Sequence, residues 1–341
     1  MIRSQKKLIF FMPFIGGGGV EKNLYIIANY LARKFNKVRI CTISINQRKK
    51  FDQKIKFLSP KKKVSENINI RFKYLISLFI LLTYLIKNKN SVVFAFQANI
   101  YCILICKILN VKIIVRSNSS PSGWYHNFLK KYFYKKIINL ADTVIVNSLE
   151  FKKEMEKRFK IKTICIYNPL NTKEIIRKSK IKSRNIFFKN KKNYLKIINV
   201  GRLTLQKDHM TLLRAIKILK KKINLKLLIL GRGIEKKNLQ NYINENDLKS
   251  NIKIQNFIEN PYNLINQSDI FILTSKYEGL PNVLLEAALL KKLIISTNCP
   301  TGPKEILSNG KGGILFKVGD YNELVKKVYY YINNKKKLQK K

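Results

Sequence analysis

The sequence predicts an α/β protein of two domains, each a parallel sheet with helices on its faces. Three observations lead there. At 341 residues with 46% hydrophobic content, the chain is long enough for two cores of ordinary size. Short β-branched, apolar runs alternate with longer runs of helical period, which is the order of βαβ units. The alternation halts in a Lys- and Asn-rich stretch, Thr172 to Asn193, and then restarts. The expected boundaries are therefore 1–170, a linker at 171–193, 194–320, and a terminal helix with a basic tail at 321–341.

Leu8 to Met12 reads as the first buried strand, Gly16 to Gly19 as the turn after it, and Glu21 to Lys34 as a helix with Leu24, Ile27, Ala28 and Leu31 on one face. Glycines such as Gly17 and Gly18 let a backbone approach a ligand closely. Their run has neither GxGxxG nor Walker spacing, so a plain tight turn is an equal reading. Val38 to Ile43 is the next strand, and the polar, lysine-rich stretch from Asn46 to Asn67 reads as an exposed excursion with little regular structure. Arg71 to Ile86 carries apolar residues at helical spacing. Its most apolar part, Tyr74 to Ile86, is too short to cross a bilayer and suits either a core helix or one lying on a membrane. Val92 to Phe96 and Lys112 to Val115 are strands around a helix from Ile100 to Leu109, and the loop from Arg116 to Pro121 leaves a strand at its carboxyl end. A basic aromatic helix, Phe128 to Asn139, precedes two further strands, Thr143 to Asn147 and Thr163 to Tyr167, with the helix Leu149 to Phe159 between them.

After the linker, Leu195 to Val200, Lys226 to Leu230, Ile252 to Gln255, Ile270 to Thr274 and Leu293 to Ser296 are strands with helices between, a second Rossmann-like domain. Ser275 to Gly279 breaks the fourth of these, and Pro281 suits the first turn of a helix from Asn282 to Leu290. Glu278 then sits at the carboxyl end of a strand and Glu286 about one turn into the following helix. Ligands of open α/β sheets bind at that edge, where the N–H groups of a helix start attract phosphate. Two acids would repel a diphosphate, but they suit the hydroxyls of a sugar. Taken alone, an exposed helix glutamate and a turn glutamate would be the plainer reading.

The formal charge of +50, from 69 basic against 19 acidic residues, points to nucleic acid, anionic lipid or phosphorylated ligands. Lys, Asn and Ile are abundant throughout, so compositional drift accounts for part of it, with membrane attraction adding to the rest. Five dispersed cysteines without a CxxC pair suggest neither a disulfide framework nor a zinc site, and fit a reducing cytoplasm. No signal peptide is expected, because the opening apolar run is short and ends at Pro13. No metal site is expected either: there is no DxD, and His126 and His209 are far apart in sequence.

The stretch Glu278 to Glu286, spelled EGLPNVLLE, resembles the signature of retaining glycosyltransferase family 4, whose members have the GT-B fold. Asn199-Val200-Gly201-Arg202-Leu203 followed by Gln206-Lys207-Asp208 is similar to the family's GR-L-x-x-x-K loop. Gly16 to Glu21 and Cys299 to Ile306 match two further segments, and all four stand in the family's order across nearly the whole chain. The resemblance implies two Rossmann-like domains facing across a cleft, with bacterial cell-surface polysaccharide or lipopolysaccharide synthesis as the setting. It implies a nucleotide-sugar co-substrate, UDP- or GDP-linked, with no other cofactor, and a lipid-linked or glycan acceptor. The enzyme would be cytoplasmic and peripheral on the inner face of the membrane, held to anionic lipid by its charge, with no nucleic acid as partner.

By the same resemblance Arg202 and Lys207 face the diphosphate, Glu278 the hydroxyls of the transferred sugar, and Glu286 the ribose. Gly17, Gly18, Gly231, Gly279, Leu280, Pro281, Asn282, Val283, Thr301 and Gly302 would line the donor site. The acceptor side would fall to Arg116 and Asn118, with His126 a candidate for the histidine that relatives place near that loop. The terminal helix would pack back toward the first domain. An epimerase of the same architecture and a non-enzymatic nucleic-acid binder are the alternatives, the latter without any helix-turn-helix, zinc or RNA-module signature.

Overall fold

The computed structural model describes residues 6–60, 68–118, 128–182, 186–188 and 194–338. The chain divides into two compact units, Met1–Pro169 and Leu170–Lys341.

In the first unit β1 (Lys7–Phe11), β2 (Val38–Cys41), β3 (Lys56–Leu58), β4 (Ser91–Ala95), β5 (Lys112–Arg116), β6 (Thr143–Val146) and β7 (Ile164–Cys165) form one sheet in the order β3-β2-β1-β4-β5-β6-β7. Every pairing is parallel. Parallel strands are covered on both faces, which is why KLIFF and SVVFA read as near-continuous apolar runs. One face is covered by α1 (Gly19–Ala32), through Leu24, Ala28 and Ala32. The other carries α2 (Ile70–Ile86), α3 (Asn99–Ile108), α4 (Phe128–Ile138) and α5 (Leu149–Phe159). Asn69 caps α2 and Ser148 caps α5, each accepting a hydrogen bond from an N–H of the first turn. Each fully buried leucine of α2, such as Leu81 or Leu85, is worth roughly 2 kcal/mol.

The stretch expected to be an irregular excursion holds a 3₁₀ turn at Ile45–Lys50 and the edge strand β3, with Phe51 and Ile55 buried in the core. Lysines between these few apolar residues mask the strand's alternation.

In the second unit β8 (Leu195–Val200), β9 (Leu225–Leu230), β10 (Ile252–Gln255), β11 (Ile270–Leu273), β12 (Leu293–Thr297) and β13 (Ile314–Phe316) run parallel in the order β10-β9-β8-β11-β12-β13. The helices are α6 (Thr172–Ser179), α7 (His209–Leu219), α8 (Lys236–Glu245), α9 (Tyr262–Gln267), α10 (Asn282–Leu289), α11 (Pro303–Ile306) and α12 (Tyr321–Leu338).

One expectation changes here. The stretch read as a linker contains α6, capped by Asn171, and Ile175 is buried with Ile198 and Phe271 in the second unit's core. A helix with so few apolar residues leaves little periodicity to detect. The terminal helix α12 places Leu324, Val325, Val328 and Tyr331 in the second unit's core, beside α7, β12 and β13.

Candidate functional site

Strand order reverses between β8 and β11, and in open parallel sheets such a switch point opens a crevice at the carboxyl ends of the strands. Two loops leave there side by side. From β8 the chain passes Gly201 and Arg202 into a 3₁₀ turn, Leu205–Lys207, and then α7; from β11 it runs through Thr274 to Pro281 into α10. Thr274 Oγ1 donates to the Lys207 carbonyl at 2.9 Å, Lys276 N to the Gln206 carbonyl at 2.8 Å, and Gln206 Nε2 to the Tyr277 carbonyl at 2.9 Å. On that frame Lys207 Nζ meets Glu278 Oε1 at 2.5 Å, and Ser275 Oγ donates to the same oxygen at 2.6 Å. The two charged side chains are only 13% and 7% exposed. Arg202, in the same loop, is exposed.

Beneath the lysine, Asp208 adopts a left-handed conformation and caps α7, accepting from both Thr211 N and Thr211 Oγ1. His209 is buried, its Nε2 3.0 Å from Asn199 Oδ1, while Asn199 Nδ2 donates to the Ile272 carbonyl. Because the Asn199 amide oxygen must accept, the histidine proton sits on Nε2. Burial, with the Lys207 charge adding to it, pushes the imidazole down to about 4, so His209 is neutral at ordinary pH.

The glycines brace this frame. A β-carbon at Gly231 would lie 1.9 Å from the Gly201 carbonyl oxygen, and one at Gly233 2.1 Å from that of Leu203. Gly302, at φ +91°, presses its backbone onto Gly279, where a β-carbon would come within 2.3 Å of the carbonyl oxygen. Thr301 Oγ1 donates to the Glu278 carbonyl at 2.6 Å. The structure thus gives Gly231, Thr301 and Gly302 the work of holding loops together, whatever else they touch. Pro281 precedes α10, whose first turn holds Asn282 and Val283 and has no side-chain cap. Leu280 and Asn282 are buried, and so is Glu286, with Tyr262 Oη 3.4 Å from its Oε1. Ser275, Tyr262 and the Asn199–His209 pair were not predicted; only their place at strand ends or near the motif could have marked them.

The first unit reverses strand order between β1 and β4. The glycine loop follows β1 there, with Gly17 at φ 93°. Glu21 turns back onto the loop, accepting from Gly16 N at 3.2 Å, and its carboxylate would sit 2.8 Å from a β-carbon at Gly18. Arg116, predicted for the acceptor side, is 1% exposed and instead ties β5 to the chain after β7: its Nη2 donates to the Ile166 carbonyl and to Asn168 Oδ1, both at 2.9 Å. Burial lowers its guanidinium to about 10. Asn118 Nδ2 donates to the Phe96 carbonyl, and Asn118 Oδ1, Asn99 Oδ1, Ser117 Oγ and Asn147 Oδ1 are buried acceptors with no hydrogen bond among the described residues. His126 lies outside the described residues.

Among the described residues no three His, Cys, Asp or Glu are grouped to hold a metal ion, and the five cysteines are free thiols. Burial, with the nearby Glu278 charge, pushes Cys299 up to about 12, which leaves it unreactive.

Two parallel α/β units, each with its own switch point, define a protein of the GT-B class. The Anabaena HepE structure in complex with UDP and glucose superposes with a TM-score of 0.77 at 17% identity, covering 98% of this chain and 92% of that one. Residues 17–174 match the family described as Glycosyltransferase Family 4, and residues 180–341 that described as Glycosyl transferases group 1. The chain belongs to these glycosyltransferases. It is 28% identical to the N-acetylgalactosamine-N,N'-diacetylbacillosaminyl-diphospho-undecaprenol 4-alpha-N-acetylgalactosaminyltransferase of Campylobacter jejuni, over 94% of this chain and 88% of that protein. It is also 38% identical to the uncharacterized glycosyltransferase MJ1059 of Methanocaldococcus jannaschii, over 58% of this chain, an alignment that spans about half (51%) of that relative's length.

Proposed function

We propose that this chain moves a hexosyl or N-acetylhexosaminyl group, with retention and without a metal ion, from a UDP- or GDP-linked donor to a lipid-linked or polysaccharide acceptor in cell-surface glycan synthesis. The observation that carries the reading is the Lys207–Glu278 pair at the β8/β11 switch point. Lys207 and the exposed Arg202 supply fixed positive charge where a diphosphate would depart, and Glu278 supplies a carboxylate for sugar hydroxyls beside it. As the bond from the anomeric carbon to the diphosphate oxygen breaks, an acceptor oxygen bonds to that carbon on the same face. Its proton passes to the departing phosphate. The Campylobacter relative's name states an undecaprenol-linked acceptor, and the Anabaena structure holds UDP and glucose. Both favour transfer over epimerisation or nucleic-acid binding. A place on the inner face of the cytoplasmic membrane follows from such an acceptor.

Thermal stabilisation by a panel of nucleoside diphosphates and their sugars tests the donor site, each variant compared with its own ligand-free state. One nucleotide should raise the wild-type midpoint by several degrees, less so in Lys207→Met and Glu286→Ala. A shift that both variants retain would place the donor elsewhere.

A further inference from the structure

Three threonine hydroxyls around the β8/β11 switch point donate to backbone carbonyls: Thr274 to Lys207, Thr297 to Ser275 and Thr301 to Glu278. That is the ordinary use of such a hydroxyl in a turn, where it ties the chain to itself. Ser275 differs. Its hydroxyl turns to the Glu278 carboxylate, 2.6 Å from Oε1, and Lys207 Nζ lies on the same oxygen. Both donors therefore fall on one side of the carboxylate.

The other oxygen is left over. An ionised carboxylate accepts on both oxygens, with about four lone-pair positions between them. No donor among the described residues reaches Glu278 Oε2. Nor is Oε2 sealed: it is not among the buried oxygens that lack a partner, and the side chain keeps 7% of its surface. The backbone beneath is pinned on both sides, since Glu278 N donates to the Pro300 carbonyl at 3.2 Å and its own carbonyl is held by Thr301. Ser275 is pinned as well. It and Thr297 are fully buried, and Thr297 Oγ1 holds its carbonyl at 2.7 Å.

Lys207 alone would not keep this arrangement once a nucleotide sugar is bound. Its ammonium is a point charge on a flexible stem with three protons to share, and a diphosphate competes for them. The serine hydroxyl is neutral and short, so a diphosphate exerts no comparable pull on it.

We infer that Ser275 is a positioning residue for the donor sugar. It keeps Oε1 of Glu278 turned to the protein, so that Oε2 alone faces the ligand and accepts one hydroxyl of the transferred sugar. A carboxylate presenting both oxygens would take two neighbouring hydroxyls instead. The inference rests on the proposed role of Glu278, and adds to it the residue that sets its orientation and the number of hydroxyls it reads.

The test is calorimetric titration of the full chain with UDP, GDP, UDP-glucose, UDP-N-acetylglucosamine and GDP-mannose, and then with analogues of the sugar nucleotide that binds, each lacking one sugar hydroxyl. The bare nucleotide should bind wild type and Ser275→Ala within about twofold, whereas affinity for the sugar nucleotide relative to the bare one should fall about tenfold in the variant. A single deoxy analogue should lose a similar factor in the wild type. That analogue should bind wild type and Ser275→Ala alike, because the hydroxyl that Oε2 accepts is missing from it. Ser275→Thr, which keeps a hydroxyl, should stay closer to the wild type than the alanine variant does. An unchanged ratio of sugar nucleotide to bare nucleotide affinity in Ser275→Ala would overturn the inference, as would two neighbouring hydroxyls that matter equally to the wild type. Weaker binding of the bare nucleotide by Ser275→Ala, together with a lowered thermal midpoint, would also overturn it, since the serine would then hold the loop rather than orient the carboxylate. A wild type that binds none of the nucleotides would sink the donor-site proposal and take this inference with it.

Discussion

Lys207 and Glu278 neutralise each other 2.5 Å apart with little access to water. Removing one partner of such a pair strands the other charge, which costs several kcal/mol, whereas replacing both by apolar groups costs far less. Glu278→Ala should therefore lower stability by about 3 kcal/mol in urea denaturation, and adding Lys207→Met should restore much of it. Strictly additive losses would show that neither side chain depends on the other. His209 makes a separate prediction. The unfolded chain takes up its proton near pH 6.5, the folded chain only near 4, so the stability this histidine supplies is complete above 6.5 and drains away as pH falls toward 4. Its share is about 3 kcal/mol. Urea midpoints between pH 7.5 and 4.5 should fall more steeply in the wild type than in His209→Gln; equal slopes would rule out a buried neutral imidazole.

Among the elements, the loops after β8 and β9 are fitted backbone to backbone, and Gly231 is the point of closest approach. Gly231→Ala should cost about 2 kcal/mol or more, because a carbonyl cannot move aside as a side chain can. Gly319→Ala, at φ +77° with nothing within 4 Å, should cost only about 1 kcal/mol by backbone strain. If the two cost the same, crowding is not what keeps Gly231 a glycine. The GRG segment was visible in the sequence, but its use as a clasp for Gly201 was not, since residues thirty positions apart meet only once the sheet is formed. The long strands of both sheets were legible because burial on both faces makes them continuous apolar runs. β3, β13 and α6 were not, each being short and supplied with few apolar residues among lysines.

For the molecule as a whole, the two-unit plan and the glutamate motif could be read from one dimension, because each depends on local spacing. Two things needed the fold. One was the burial of Arg116, whose partners Ile166 and Asn168 are some fifty residues away. The other was the outward apolar layer on α2, α3 and α4: helical period shows that Arg71 to Ile86 has apolar residues all round, but only packing tells which side is already covered. The four buried clusters also sort cleanly by unit, two formed wholly from residues before Pro169 and two from Leu170 onward. Recombination between related genes at the codons for Pro169 and Leu170 would therefore transmit an intact interior on either side, and the two halves of such an enzyme can descend from different parents.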